Sequence, residues 1–136
     1  EVAHLHASCV AWEGQGLLIA GPSGSGKSAL ALELMAFGAA LVADDVTELH
    51  RGSPLVARAP KTLPAAIEAR GVGLLRADLL PEVLVSCAVD LTRCSAERLP
   101  PKRSVLLLET EIPLLHRPVS GPFAAMLLQY LKQNLL

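Results

Sequence analysis

Eight consecutive residues, Gly21-Pro22-Ser23-Gly24-Ser25-Gly26-Lys27-Ser28, fit the P-loop (Walker A) pattern G-x-x-x-x-G-K-[ST] throughout. The chemistry they suit is the holding of nucleotide phosphates. Glycines let the backbone curl until successive N–H groups point at phosphate oxygens, and a helix starting at the end of the loop presents its positive end to them. Lys27 is then expected to reach the β- and γ-phosphates, and the Ser28 hydroxyl to complete the coordination sphere of Mg²⁺. Asp44 and Asp45 end a short apolar run further on. Side chains alternate along a strand, so the two carboxylates point differently. One can approach Mg²⁺ or its water shell while the other approaches an incoming hydroxyl. For phosphoryl transfer, such a carboxylate with a lysine and Mg²⁺ is a sufficient kit.

Other charged groups are weaker signals by themselves. Glu68 and Arg70 occupy alternate positions in Ile67-Glu68-Ala69-Arg70, so on a strand they share a face, one able to hold metal and the other phosphate. An exposed, salt-bridged strand face explains the pattern equally well. His6 lies on an apolar strand ahead of the loop, where a surface or hydrogen-bonded histidine is the ordinary reading. Arg98 and Arg117 fall in polar segments where solvation is the ordinary expectation.

Positioning these residues takes a strand, the loop, a helix and a second strand in close succession. Two short strands, at roughly 3 to 11 and 16 to 20, flank Glu13-Gly14-Gln15-Gly16, whose glycines suit a tight hairpin. Residues Ser28 to Phe37 are largely good helix formers and are apolar on almost every side, so this helix is expected to be covered on most faces. Gly38 is placed to stop it in a left-handed conformation. Ala40 to Ala43 then reads as a buried strand. The order predicts a right-handed βαβ unit whose parallel strands, if neighbours, bring the loop and the aspartates together at their carboxyl ends. Prolines at 54, 60 and 64 bound a loop or edge region. Residues 66 to 75 read as a strand entering a turn at Gly71-Val72-Gly73. Two more strands, 83 to 91 and 105 to 109, are separated by the polar stretch 92 to 103. Phe123, Leu127, Tyr130 and Leu131, at helical spacing, predict a closing helix. The fold class that emerges is α/β: one domain over 1–136, with a P-loop core, a mixed β-sheet and an N-terminal β-hairpin.

Composition narrows the partners. A chain of 136 residues with 51% hydrophobic and 18% charged residues can bury a real core and is not disordered. A net charge of -1 gives no general attraction for nucleic acid or an anionic membrane. The longest uncharged run, 118 to 131, carries Pro118 and Pro122 and falls short of the roughly 20 residues a membrane helix needs. Cys9, Cys87 and Cys94 form no Cys-x-x-Cys pair and read as reduced, small buried apolar residues of a cytoplasmic protein. Asn134 is the sole asparagine, which excludes the Asn-Lys-x-Asp guanine-reading motif, and the signature of transporter-type ATPases is absent. With 3% aromatic residues, strong base stacking is not expected, and ATP is the default donor. No basic region followed by an apolar one opens the chain, and its first residue is Glu1 rather than Met, so upstream residues are expected to have been removed.

Four segments together resemble HPr kinase/phosphorylase, a family of bifunctional bacterial enzymes acting on a seryl residue of the phosphocarrier protein HPr. They are His6 fifteen residues before Gly21, GPSGSGKSALALELMAFGAALVADD from 21 to 45, IEARGVG from 67 to 73, and ERLP from 97 to 100. The phosphate loop is generic to many folds. The helix length, the LVADD segment and the E-x-R-G-x-G stretch are more specific. The resemblance implies a PEP carboxykinase-like fold, ATP and Mg²⁺ as cofactors, HPr or a paralogue as protein partner, inorganic phosphate or pyrophosphate as further ligands, and a cytoplasmic hexamer. It implies that Asp45 is the general base that accepts the proton of the substrate serine, and the proton donor in reverse. By the same resemblance Asp44 is a supporting or metal-linked carboxylate, Ser28 and Glu68 bind Mg²⁺, Lys27 binds phosphate, and His6 and Arg98 are further catalytic positions.

Two departures stand out. Many members carry a separate N-terminal domain, whereas this chain begins at the catalytic domain, so regulation through that domain is expected to be absent. The family's Arg-Pro-Gly-Arg-Asn stretch, linked to phosphorolysis, is here Arg117-Pro118-Val119-Ser120-Gly121, without the second arginine. The apolar tail from Phe123 to Leu131 reads as exposed and suited to a subunit contact. Two competing readings are a P-loop kinase for a small metabolite, for which no arginine-bearing lid is evident, and a non-catalytic ATP-sensing module, against which the aspartate pair argues. Attack by inorganic phosphate on a phosphoserine gathers several anions, so a lost cation weakens that direction more than the forward one. Phosphorolysis of a serine-phosphorylated partner is therefore expected to run well below the kinase direction; comparable rates, measured side by side, overturn this expectation.

Overall fold

The computed structural model describes every residue from Glu1 to Leu136. The chain runs through β1 (Val2–Leu5), β2 (Ala7–Trp12), β3 (Gln15–Ala20), α1 (Lys27–Ala36), β4 (Ala40–Ala43), β5 (Thr47–His50), β6 (Val56–Arg58), β7 (Ala66–Ala69), β8 (Gly73–Arg76), β9 (Val83–Ser95), β10 (Arg103–Leu107), β11 (Thr110–Pro118) and α2 (Phe123–Gln133). Nine strands form one mixed sheet in the order β1-β5-β6-β9-β3-β2-β4, with β11 added in parallel to β9 and β10 at the outer side of β11. β7 and β8 make a separate hairpin.

β2 and β3 pair antiparallel from Ala7↔Ala20 to Trp12↔Gln15, across a turn in which Glu13 and Gly14 both have positive φ. The expected βαβ arrangement differs in one respect: β2 lies between β3 and β4, antiparallel to both. The two strands flanking α1 therefore run the same way without touching, and their carboxyl ends still share one edge of the sheet. The strand expected over 3 to 11 is broken at His6, where β1 leaves to pair with β5 while β2 stays between β3 and β4.

Because β1 and β2 are one residue apart yet sit toward opposite ends of the strand order, the sheet must curl. Its inner face encloses Cys9, Leu18, Val42, Leu49, Ala57, Val83, Ala88 and Ile112. On the outer face, α1 and α2 cover Val10, Leu17, Ile19, Cys87 and Val89 with Leu30, Ala31, Leu34, Leu127, Leu128 and Leu131. Each fully buried leucine here contributes on the order of 2 kcal/mol. β9 serves both cores by alternation, and its register against β3 slips by one residue between Gly16↔Val85 and Leu17↔Cys87. That bulge sends Val83 and Val85 to the inner face and Cys87, Val89 and Leu91 to the outer one.

Several expectations change. The stretch bounded by prolines holds one short strand, β6, which pairs antiparallel with β5 across the turn that contains the cis Ser53-Pro54 bond. β11 occupies a segment to which the sequence reading assigns no element, because Pro113 and Pro118 and a half-exposed pattern disguise it. α1 is covered on one side only, leaving Ala29, Glu33, Ala36 and Phe37 exposed. α2 turns Ala124, Leu127, Leu128 and Leu131 into the core, so the tail is not the exposed apolar surface anticipated. No helix is long and apolar enough to cross a membrane.

The cysteines also divide. Cys9 and Cys87 are buried, and burial raises both thiols, Cys87 to about 12, whereas Cys94 is exposed. Exposed thiols react as thiolates and buried ones stay inert. Titration of the native protein with a thiol reagent at about pH 8 is expected to modify Cys94 alone, with Cys9 and Cys87 following only after denaturation. Three fast equivalents in the native state overturn the burial argument.

Candidate functional site

The carboxyl ends of β3 and β4 and the amino end of β2 meet at one edge of the sheet. The register Ala7↔Ala20 places His6 beside the start of the loop, and Cys9↔Ala43 places Ser8 beside Asp44. Residues Gly21 to Gly26 curl between β3 and α1, with positive φ at Gly24 and Gly26 and a turn closed by Ser25 N–H on the Pro22 carbonyl at 3.1 Å. Ser25 folds its side chain against Gly21, where a Cβ would collide with Ser25 Oγ and come within 3.0 Å of its Cβ. Glycine is needed at 21 for that close approach.

The two aspartates separate as strand alternation requires. Asp44 turns inward: its Oδ1 accepts from Ser8 Oγ and Ser28 Oγ, each at 2.7 Å, and its Oδ2 accepts from the Glu68 N–H at 3.0 Å. Asp45 turns outward, with φ of 67 degrees, the left-handed region that Asp tolerates better than most residues. Its Oδ1 accepts from His6 Nε2 at 3.0 Å and lies 3.7 Å from Lys27 Nζ. A carboxylate only accepts, so His6 carries its proton on Nε2. Lys27 is 4% exposed and bends back over the loop to the Pro22 carbonyl at 3.1 Å, short of the extended reach expected of it.

A cleft of about 330 Å³ opens over these groups. Ser23, Gly24, Gly26, Lys27 and Ser28 form its floor, Asp45 one side, and Glu68, Ala69 and Arg70 of the β7–β8 hairpin the other. Ile67, buried in the outer core, anchors that hairpin and leaves Glu68 facing the cleft. No three His, Cys, Asp or Glu side chains converge as a metal cage. The donors are a hydroxyl and carboxylates, the hard oxygen set that suits Mg²⁺, which takes few protein ligands and completes its shell with water and phosphate.

Of the residues singled out in the sequence, Gly21 to Ser28, Asp44, Asp45, Glu68 and His6 are brought together. Arg98 is not: it sits exposed in the segment after β9, outside the residues lining the cleft. Two residues were missed. Ser8, fully buried, orients Asp44; a hydroxyl on the same strand face as His6, two residues on, was the available signal. Arg117, expected to be solvated, donates from Nη2 to the Ser25 carbonyl at 2.9 Å. It gets there because β9 bulges. His116 faces Asp90 but Arg117 faces Cys94, so Leu91 to Arg93 loop out. The Asp90 carboxylate starts this bulge by accepting from the Thr92 hydroxyl at 2.6 Å and its N–H at 2.9 Å, bonds that hold its pKa below the ordinary value.

The family described as HPr Serine kinase C-terminal domain matches residues 1–80, more than half of the chain and every residue lining the cleft. The chain belongs to this family. Among curated members of the HPr kinase/phosphorylase group, it is 53% identical over 64 residues to the protein of Nitrosomonas europaea, covering 46% of this chain and 20% of that one. It is 47% identical over 77 residues to that of an Azoarcus species, covering 55% and 25%. It is 46% identical over 72 residues to that of Caldicellulosiruptor bescii, covering 52% and 23%. The matched stretch thus spans a quarter or less of those relatives' length. A solved structure, the Hpr(Ser) kinase/phosphatase from Coxiella burnetii, superposes with a TM-score of 0.78 at 23% identity over 97% of this chain and 89% of that one, which establishes a shared HPr kinase fold.

Asp44 joins β4 to β2, α1 and β7 through three hydrogen bonds to one charged acceptor. Asp44→Ala is expected to cost at least about 2 kcal/mol in denaturant unfolding and to speed amide exchange at Glu68. An unchanged midpoint with unchanged Glu68 exchange would falsify that role.

Proposed function

We propose that residues 1–136 act as one catalytic domain, built on a P-loop nucleotide-binding core with an N-terminal hairpin, that transfers the γ-phosphate of ATP to a serine of HPr or a paralogue in an Mg²⁺-dependent reaction. The observation that carries this is the position of Asp45: its carboxylate stands at the mouth of the phosphate loop, on the same side as Lys27. Family membership and the names of the relatives supply the protein substrate.

The roles follow from the contacts. Loop N–H groups and Lys27 hold the phosphates, the lysine exchanging the Pro22 carbonyl for phosphate oxygens. Ser28 gives its O–H to Asp44, which leaves the lone pairs of its oxygen for a cation, and Glu68 has no ion-pair partner of its own. Ser28 and Glu68 would hold Mg²⁺, with Asp44 acting through Ser28; when bound, the ion neutralises charge on the phosphates. His6 and Lys27 both address Oδ1 of Asp45, so Oδ2 remains to take the proton of the acceptor hydroxyl. Arg98 enters only through the resemblance. Three free thiols accord with a reducing cytoplasm, and the hexameric state is likewise taken from the resemblance.

Asp45→Asn keeps the left-handed backbone and the hydrogen bond to His6 while removing the base. It is expected to lower serine phosphorylation of HPr by at least about a hundred-fold, the range of a general base, with MgATP affinity nearly intact. A variant that still phosphorylates HPr, scored by mass for phosphoserine, removes Asp45 from the base role. Wild-type binding of MgATP without any transfer to HPr favours the sensing module instead.

A further inference from the structure

We propose that Arg117 is a positioning residue for the phosphate loop, fixing the direction of the Gly26 N–H before a nucleotide arrives; the proposal rests on the nucleotide-binding reading above. Arg117 Nη2 holds the Ser25 carbonyl at 2.9 Å. The Ser25–Gly26 peptide is trans, so its C=O and N–H point in opposite directions. Gly26 lines the cleft and Arg117 does not. Holding the carbonyl on the outside therefore turns the Gly26 N–H inward, toward the place of a phosphate oxygen. That N–H has no partner within the chain.

The surroundings make this a fixed arrangement. The guanidinium lies so close that a Cβ on Gly26 would be 3.4 Å from Nη2. Arg117 Nε is buried and without a partner, a cost accepted at a side chain whose other nitrogen serves the loop. On the opposite side of the same residue, Ser25 Oγ is packed against Gly21, so Ser25 is held from both directions. The need for holding is intrinsic to the loop. Gly24 and Gly26, both at positive φ, give the intervening peptides freedom to flip, and a flipped Ser25–Gly26 unit would present a carbonyl to the phosphates.

The experiment compares wild type, Arg117→Ala and Arg117→Lys by hydrogen exchange of the ligand-free protein and by MgADP affinity and ATP kinetics. Arg117→Ala is expected to speed exchange of the Ser25 amide, the loop N–H held by the Pro22 carbonyl, by about ten-fold, with β3 and β9 unaffected, and to raise the MgADP Kd by a similar factor. In turnover the loss falls on KM for ATP more than on kcat, and added guanidinium restores part of it. Arg117→Lys keeps the charge and most of the stem but not the fork, and is expected to fall between the two. Should the alanine variant unfold, the lysine variant decides alone through the same exchange difference. Loop exchange equal to wild type in both variants overturns the proposal, as does a loss of kcat with nucleotide affinity intact, which would place Arg117 at the transferred phosphoryl group. A wild type that binds no MgADP removes the nucleotide reading, while the exchange comparison, made without ligand, still decides the clamp.

Discussion

The site depends on one carboxylate that faces away from the chemistry. Asp44 accepts from Ser8 on β2, from Ser28 at the start of α1 and from the backbone of Glu68 on β7, and it directly follows β4. Four segments distant in sequence are fastened at one point. A charged acceptor with three donors is well satisfied at a partly buried position, and an orphaned one would be expensive there. The fastening sets Glu68 across the cleft from Asp45, which a hydrogen bond between side chains on flexible loops could not do.

The sheet supplies the platform for that fastening. Inserting β2 between β3 and β4 brings its amino end, with His6 and Ser8, to the edge where the glycine-rich loop and the aspartates leave. A directly adjacent pair of parallel strands would align the loop and aspartates but offer no third strand to deliver a histidine and a serine. The antiparallel intruder adds two polar side chains at the cost of a longer span between the loop and Asp44, which the Ser28–Asp44 bond bridges.

Local features were legible in the sequence because they depend on local physics. The glycine-rich loop, the helix after it, the stop at Gly38, the turn at 71–73 and the divergence of Asp44 from Asp45 follow from residue type and spacing within a few positions. What escaped depends on partners far along the chain. The place of β2 is decided by pairing with Ala40 to Ala43, and β11 is stabilised by β9 despite two prolines. Arg117 reads as an ordinary polar residue until the outward loop at Leu91 to Arg93 sets it against Ser25. The amphipathic tail was legible as a helix, but its apolar stripe has its own core to meet rather than a second subunit.

The slipped residue near the middle of β9 has a consequence for how this chain can change length. A strand alternates with a period of two, and the extra residue shifts that phase once, so that odd-numbered residues face the inner core before it and the outer core after it. Deleting Ser86, the extra residue itself, would close the bulge and leave every facing as it is, whereas deleting Ala88 from the regular pairing that follows would exchange inside for outside along the rest of the strand. Val89 and Leu91 would then leave the helices, and Asp90 would enter them. Insertions and deletions can therefore accumulate in the hairpin turns of this domain, but outside its bulge the central strand tolerates only changes that keep its parity.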